Sequence, residues 1–501
     1  MNFLLARLFR DGSRGAFAGL LAAIPLGVLL VAIGAVRSAA NPLFAPPVSY
    51  VTGFYPYSVA IGDLNGDGKR DVAVANYDAN TVSVLLGNGD GTLSAKTDFA
   101  TGDGPSAVAI ADMNGDNKPD LVVADFGPCC SFPGSVSVLL GHGDGIFGVK
   151  TDFATANGPW HLAIGDFNGD GKRDVATASN FSDLSNSVSV LLGNGDGTLN
   201  AHTDYPTGTG PRSVAIGDLN GDGRPDLAVA NKDAGSVSVK FGNGDGSLGA
   251  GFELDAGSNP RSVAIGDVNG DFKRDLAVAK TGTDPDYLGS VAVRLGNGDG
   301  TFGSSIDYAT GNAPSSVAIG DLNGDGHPDL VTANLYGSFP INDGSVSVLL
   351  GNGDGTFQPK TDYATDSGPI SVAVADLSGD LKPEVATANP DAHTVSVLLN
   401  IGVPSASVEP GGARLELALQ GCVPNPSRRL NVSFTLPDSR PATLEVYDVS
   451  GREVDRMEVG GLGAGRHTVT LGSSGKLAPG VYLVHLIQAE HRRVARAIVL
   501  R

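Results

Sequence analysis

The sequence predicts an all-β protein, a seven-bladed β-propeller followed by a small Ig-like β-sandwich. Three observations carry the prediction. A unit of about 50 residues recurs seven times between residues 41 and 400. Each unit holds four short runs of alternating Val, Ile, Leu and Thr, separated by Gly/Asp/Asn turns. Helical periodicity is absent from that region. Composition agrees: 71 Gly in 501 residues and 18% charged residues exclude a helical bundle or coiled coil. Three Cys cannot supply a disulfide framework, while 41% hydrophobic residues suffice for a core. A net charge of -20 argues against nucleic acid, whose phosphates demand a basic face.

Residues 1–40 read as a targeting segment. Arg7, Arg10 and Arg14 precede an uncharged stretch from Gly15 to Val36, closed by Arg37 and Ser38-Ala39-Ala40. This is the pattern of a secretory signal peptide, and the stretch is also long enough for an N-terminal membrane anchor. Pro25 and the Ser-x-Ala ending favour cleavage. Either way the rest is exported, and contact with a membrane is expected only through this segment if it is retained.

The repeat is anchored by Asp-x-Asn-Gly-Asp, starting at Asp63, Asp112, Asp166, Asp218, Asp267 and Asp321, with a seventh copy at Asp376 that has Ser378 for Asn. In the first unit the runs are SVAIG (58–62), DVAVAN (71–76), TVSVLLG (81–87) and KTDFATG (96–102). One four-stranded sheet cannot bury both faces alone, but seven packed radially can. The seventh unit stops after HTVSVLLN (393–400), while PVSYVTGFYP (47–56) matches the fourth-strand pattern KTDFATGDGP (96–105). A strand over 47–53 is therefore expected to close the last blade of a propeller spanning 41–400. An open seven-unit solenoid is the alternative.

The loop between the first two strands carries the chemistry. Oxygen-bearing side chains stand at loop positions 1, 3, 5 and 9, and position 7 can offer its carbonyl. In order, these are Asp63, Asn65, Asp67 and Asp71; Asp112, Asn114, Asp116 and Asp120; Asp166, Asn168, Asp170 and Asp174; Asp218, Asn220, Asp222 and Asp226; Asp267, Asn269, Asp271 and Asp275; Asp321, Asn323, Asp325 and Asp329; and Asp376, Ser378, Asp380 and Glu384. Three acids in nine residues repel one another unless a cation sits among them, and hard oxygen donors in this number suit Ca²⁺. The loop is not an EF-hand, because position 12 is a strand residue (Val74) rather than a bidentate Glu. The bland reading is a hairpin turn, which needs one Asx and one Gly rather than three alternating acids seven times over. Up to seven structural Ca²⁺ ions are expected. A second motif, Asn88-Gly89-Asp90-Gly91 and its repeats, reads as the turn between strands three and four.

These residues resemble FG-GAP/VCBS-type repeats, related to the propeller of integrin alpha chains. The resemblance covers about 44–400. It implies a seven-bladed propeller with Ca²⁺ in the hairpin loops, held by Asp63, Asn65, Asp67, Asp71 and their matches.

The loops between strands two and three are irregular and carry Phe126, Phe132, Phe181, Tyr287, Tyr336 and Phe339. Aromatics on variable loops of a rigid scaffold suit a binding face, with an unidentified protein or glycan as partner. Cys129 and Cys130 are adjacent and Cys422 is distant, so their pairing stays open. The eight His are scattered and form neither a metal-ligand pair nor a nucleophile signature. Trp160-His161 is an isolated feature read as packing.

Residues 401–427 are rich in Pro, Gly and Ser and read as a linker. From 428 to 501 there are eleven basic and seven acidic residues, net +4; with about +3 in 1–40, the middle carries about -27. Runs near 430–436, 442–449, 466–471 and 480–488, with a basic terminal strand, predict a small antiparallel sandwich. PNP (424–426), LEVYDVSGREV (444–454) and LAPGVYLV (477–484) resemble the type A sorting domain of the type IX secretion system, and are similar to the Ig-like domain of flagellar hook-capping proteins. The first resemblance implies secretion to the surface or medium of a bacterium with two membranes, and contact with that machinery. The expected function is surface adhesion or ligand binding without catalysis. The alternatives are a secreted polysaccharide lyase or hydrolase on a propeller scaffold, or a structural surface component.

Overall fold

Val/Ala alternation between Gly/Asp turns forms strands throughout the repeat region. The structure is a computed structural model. It describes residues 43–402 except 129–133, 182–184, 284–286 and 337–343, then 418–422, 430–436, 440–449, 451–459, 465–471, 480–488 and 491–499. Contacts divide the chain into two compact units, Met1–Pro404 and Ser405–Arg501. The expected leader and the pair Cys129/Cys130 lie outside the described residues. Among those described, no helix is long and apolar enough to cross a membrane.

The first unit holds seven four-stranded antiparallel sheets. A lone strand, β1 (Val48–Val51), comes first. Sheet 1 is β2 (Pro56–Gly62), β3 (Asp71–Asn76), β4 (Thr81–Leu85) and β5 (Thr97–Ala100). Sheet 2 is β6 (Pro105–Ala111), β7 (Asp120–Asp125), β8 (Ser135–Leu139) and β9 (Thr151–Ala154). Sheet 3 is β10 (Pro159–Gly165), β11 (Asp174–Phe181), β12 (Ser185–Leu191) and β13 (Thr203–Pro206). Sheet 4 is β14 (Pro211–Gly217), β15 (Asp226–Asn231), β16 (Ser236–Gly242) and β17 (Leu248–Asp255). Sheet 5 is β18 (Pro260–Gly266), β19 (Asp275–Lys280), β20 (Ser290–Arg294) and β21 (Ile306–Ala309). Sheet 6 is β22 (Asn312–Gly320), β23 (Asp329–Tyr336), β24 (Ser345–Leu349) and β25 (Thr361–Ala364). Sheet 7 is β26 (Ser371–Ala375), β27 (Glu384–Asn389) and β28 (Thr394–Leu398), and its fourth strand is β1. Tyr50 of β1 faces Val395, as Phe99 of β5 faces Val82 in sheet 1.

Burial explains the strand types. Every residue of β3 is buried, because both faces of the sheet are covered and its Val and Ala side chains pack on either side. The outer strand β5 is largely exposed, and Lys96 pairs there with Asp98 at the edge, which discourages further strand addition. Each core forms between neighbouring sheets. Ala73 and Val84 of sheet 1 pack with Val108 and Leu121 of sheet 2. Val59 and Val72 of sheet 1 pack with Ala386 and Val395 of sheet 7. The first and last sheets therefore share a core like any adjacent pair.

The first strand of sheets 1 to 6 carries a Pro, the opening residue in sheets 1 to 5 and Pro314 within β22, after which the register slips by one residue, as between Pro56 and Ser58. Such a bulge leaves the intervening residue unpaired and re-aims its side chain. The re-aimed residues include Tyr57, Trp160, Arg212 and Arg261.

In the second unit, β29 (Ala418–Cys422), β30 (Leu430–Leu436) and β33 (Gly465–Leu471) form one sheet. A second sheet has β31 (Ala442–Asp448), β32 (Glu453–Glu458), β34 (Gly480–Gln488) and β35 (His491–Val499). Val432, Phe434, Leu444, Val446, Val484 and Leu486 are buried in a common core. Strand β29 falls inside the stretch expected to be linker. Its register against β30 orders it, a pairing that the local Pro and Gly content obscures.

Candidate functional site

The acid-rich loops fold as interlocking turns. In the first, Asp63 Oδ1 accepts the Gly66 N–H at 2.7 Å and Oδ2 the Gly68 N–H at 2.9 Å. Asn65 Oδ1 accepts the Asp67 N–H, and Asp67 Oδ1 the Lys69 N–H. Gly66 and Gly68 take φ of 73° and 81°, the left-handed region that suits glycine. Asp112, Asp166, Asp218, Asp267, Asp321 and Asp376 each accept the N–H three residues on in the same way. Where glycine is missing at position 6, Asn117, Phe272 and Leu381 adopt φ of 61°, 65° and 69°, so the turn is kept at the cost of strain.

The ninth residue behaves differently. Asp71 is fully buried; its Oδ2 accepts the Leu64 N–H and its Oδ1 the Gly87 N–H, both at 2.7 Å. It pins the loop to the end of β4. Asp120, Asp174, Asp226, Asp275 and Asp329 do the same in their sheets. Glu384 reaches Leu377 and Ser378 with one oxygen and the Asn400 N–H with the other. Burial pushes the Asp71 carboxyl above its usual range, and the charges of Asp67 and Asp63 push it further. Asp329 is raised to about 6, again chiefly by burial.

The donors are therefore all oxygen, and the acids repel one another. Among the described residues, the ion pairs of these loops come from the position-7 side chain, as in Lys69–Asp67 at 3.6 Å, a half-exposed pair of little strength. This donor chemistry fits a hard divalent ion. The geometry is less convergent: among the described residues, no three His, Cys, Asp or Glu side chains come together as a metal-holding group. A bound ion would be held by oxygens of Asp63, Asn65, Asp67, Asp71 and their equivalents and would supply countercharge to the acids among them.

The second motif does more than turn the chain. The Gly91 N–H donates to Leu377 O, Gly145 to Leu64 O, Gly197 to Met113 O, Gly246 to Phe167 O and Gly300 to Leu219 O. These five turns thus latch onto the acid-rich loop of the preceding sheet. Sheet 7 lacks the turn, and there Asn400 Nδ2 donates to Leu322 O at 2.7 Å. Residues 63–123, 129–177, 166–229, 218–278, 270–332 and 335–387 match the FG-GAP-like repeat. The chain belongs to the FG-GAP-like repeat family. Residues 423–501 match the secretion system C-terminal sorting domain. That domain marks the FG-GAP-like chain for secretion or cell-surface display by the type IX system of a Gram-negative bacterium. No match was found among curated proteins.

The first strands of all seven FG-GAP-like sheets meet around one pocket. Its lining includes Tyr57, Trp160, His161, Arg212 and Arg261, with serines from most sheets, and it encloses an empty volume of about 580 Å³ including its open mouth. Trp160 sits 4.6 Å from the Phe126 ring and 5.6 Å from Tyr57, and the Arg212 guanidinium lies 3.9 Å over its ring. Burial holds His161 down to about 4, so the ring is neutral near pH 7. Of the loop aromatics, Phe126 turns toward Trp160, while Tyr287 and Tyr336 pair at 6.0 Å with partial exposure. Phe132 and Phe339 lie outside the described residues, as does the Phe181 side chain. Sequence reading took Trp160-His161 for packing and passed over Arg212 and Arg261. The signal available is the residue after the recurring Pro, which varies among Tyr57, Ser106, Trp160, Arg212, Arg261, Ser315 and Ile370.

Proposed function

We propose that the protein is an exported seven-bladed β-propeller, stabilised by calcium at up to seven hairpin loops, that acts as a surface adhesion or ligand-binding module. The observation that carries the reading is the convergence of seven first strands on a single pocket. Closure is supported by the β1–β28 pairing and by the core shared between sheets 1 and 7. The pocket lining includes no carboxylate, so a general acid–base pair is not at hand there, which favours binding over hydrolysis or lyase chemistry. Calcium is supported by the repeated oxygen donors and by charge: seven ions would offset fourteen of the twenty-one loop acids. The domain division follows: a leader in 1–40, the propeller in 41–400, and a sorting sandwich preceded by a linker.

The test is a glycan and matrix-protein binding screen on the purified chain, paired with thermal melting in calcium and in chelator. Binding together with a melting midpoint lowered by several degrees in chelator is expected. An unchanged midpoint removes calcium from the account; a screen without a ligand removes adhesion.

A further inference from the structure

Among the described residues, two cations face the pocket without an ion pair. Arg212 and Arg261 are the bulge residues of β14 and β18, half-buried in the wall. Each has a buried Nε with no hydrogen-bond partner. Asp233, which acts on Arg212 through space, is paired with Lys232 at 3.2 Å. Trp160 holds Arg212 in place by a cation–π contact, which orients the guanidinium without neutralising it. Two like charges kept in a partly dry site are costly unless something of opposite charge enters.

Apart from its rings and Ile370, the rest of the wall is mostly serine, of which Ser106 and Ser315 give their protons to Pro159 O and Pro369 O. One residue further along each first strand, a polar side chain accepts a backbone N–H from the next sheet. Val108 donates to Ser58 at 3.2 Å, Val214 to His161 at 3.5 Å and Val263 to Ser213 at 3.3 Å. Val317 donates to Ser262, Val372 to Ser316 and Val59 to Ser371, closing the series from sheet 7 to sheet 1. Ala107 stands at this place in sheet 2 and breaks the series once. A serine that accepts through Oγ still has its own proton to give, and neutral His161, accepting at Nδ1, carries its proton on Nε2. The same contacts occupy N–H groups through which a peptide strand would otherwise add.

We propose that this pocket binds the oxyanion of an acidic sugar residue, a carboxylate or a sulfate ester, with Arg212 and Arg261 as its charge partners and the serine hydroxyls as further donors. A sugar ring brings hydroxyls that the wall can meet, and Tyr57 lines the pocket with the partly exposed Tyr55 ring 6.3 Å from it. The inference rests on the ligand-binding reading above and gives it a ligand class.

The test titrates the full chain, in calcium, with glucuronate and glucose 6-sulfate, using glucose as neutral control and an acidic peptide as competing class. Trp160 is the only tryptophan, so its fluorescence reports directly on the Arg212 site. Saturable fluorescence change with either acidic sugar and none with glucose is expected. Arg212→Gln and Arg261→Gln should each weaken binding about tenfold or more, without loss of thermal stability. Absence of binding by both acidic sugars, equal binding by the double variant, or preference for the acidic peptide would overturn the proposal. Wild-type salt dependence provides a readout that needs no variant: affinity independent of ionic strength also overturns it. A neutral glycan found by the screen, without acidic-sugar binding, sinks this inference while leaving the adhesion reading standing.

Discussion

Asp125 shows how one substitution within the repeat changes local physics. It ends β7 where β3, β15 and β27 end in Asn76, Asn231 and Asn389. Asn76 accepts the Gly53 N–H and donates to Thr81 and Ser83. An ionised Asp cannot donate. The Ser137 hydroxyl lies 2.6 Å from Asp125 and 2.7 Å from Asp152, with one proton for two carboxylates. Asp125 Oδ1 is buried and unpaired. Burial, with a smaller push from the Asp152 charge, raises this carboxyl to about 7. A raised folded-state value means the stabilising contribution is complete below the usual carboxylate range and is lost as pH rises through about 7. Asp125→Asn should therefore stabilise the protein by about 1–3 kcal/mol at pH 8 and by much less at pH 5. Urea melts at both pH values check this, and equal shifts would contradict it.

Among the elements, the acid-rich loop separates two jobs that composition runs together. Asp71 is a fastener, with each carboxylate oxygen on a backbone N–H. Asp67 is exposed and holds the Lys69 N–H, the Asn65 side chain and a weak ion pair. Asp71→Ala should cost about 2–3 kcal/mol already in chelator, because two buried N–H groups lose their acceptors. Asp67→Ala should change the metal-free protein little and reduce the stabilisation that calcium adds. Denaturation in calcium and in chelator separates the two, and an Asp67 effect of equal size in both would argue against an ion there. The Gly87 position shows why the repeat is rich in glycine: a Cβ there would stand 2.0 Å from Arg70 O. The strands, their order and the loop spacing were legible in the period-two runs. The latch from these second turns to the preceding loop was not, because its acceptor is a backbone carbonyl and leaves no mark on residue type.

For the whole molecule, β1 carries unusual weight. It completes sheet 7, while Phe44 is fully buried and bridges to Asn400. Removing residues 43–52 should expose the edge of β28 and lower stability far more than trimming a surface loop of similar length. Loss of a single cooperative melt would be the sign, and an unchanged melt would contradict closure through this strand. In the second unit, by contrast, β29 was hidden in a stretch that reads as linker, since a strand supported mainly by its partner has little local signal.

The amino-acid sequence alone determined what repeats: seven units, four strands in each, acids at fixed loop positions, and a terminal run shaped to replace a missing strand. All but the last depend on contacts within about 50 residues, where periodicity and turn chemistry act directly, and the last shows because its pattern repeats that of the other fourth strands. Only the tertiary structure decided what converges. Tyr57, Trp160, Arg212 and Arg261 stand in different repeats, and the bulge that re-aims each one has meaning only when the first strands face a common space. Variation at one repeat position looks like noise along the chain; brought together at one pocket, it is a set of charges and rings whose energies depend on one another.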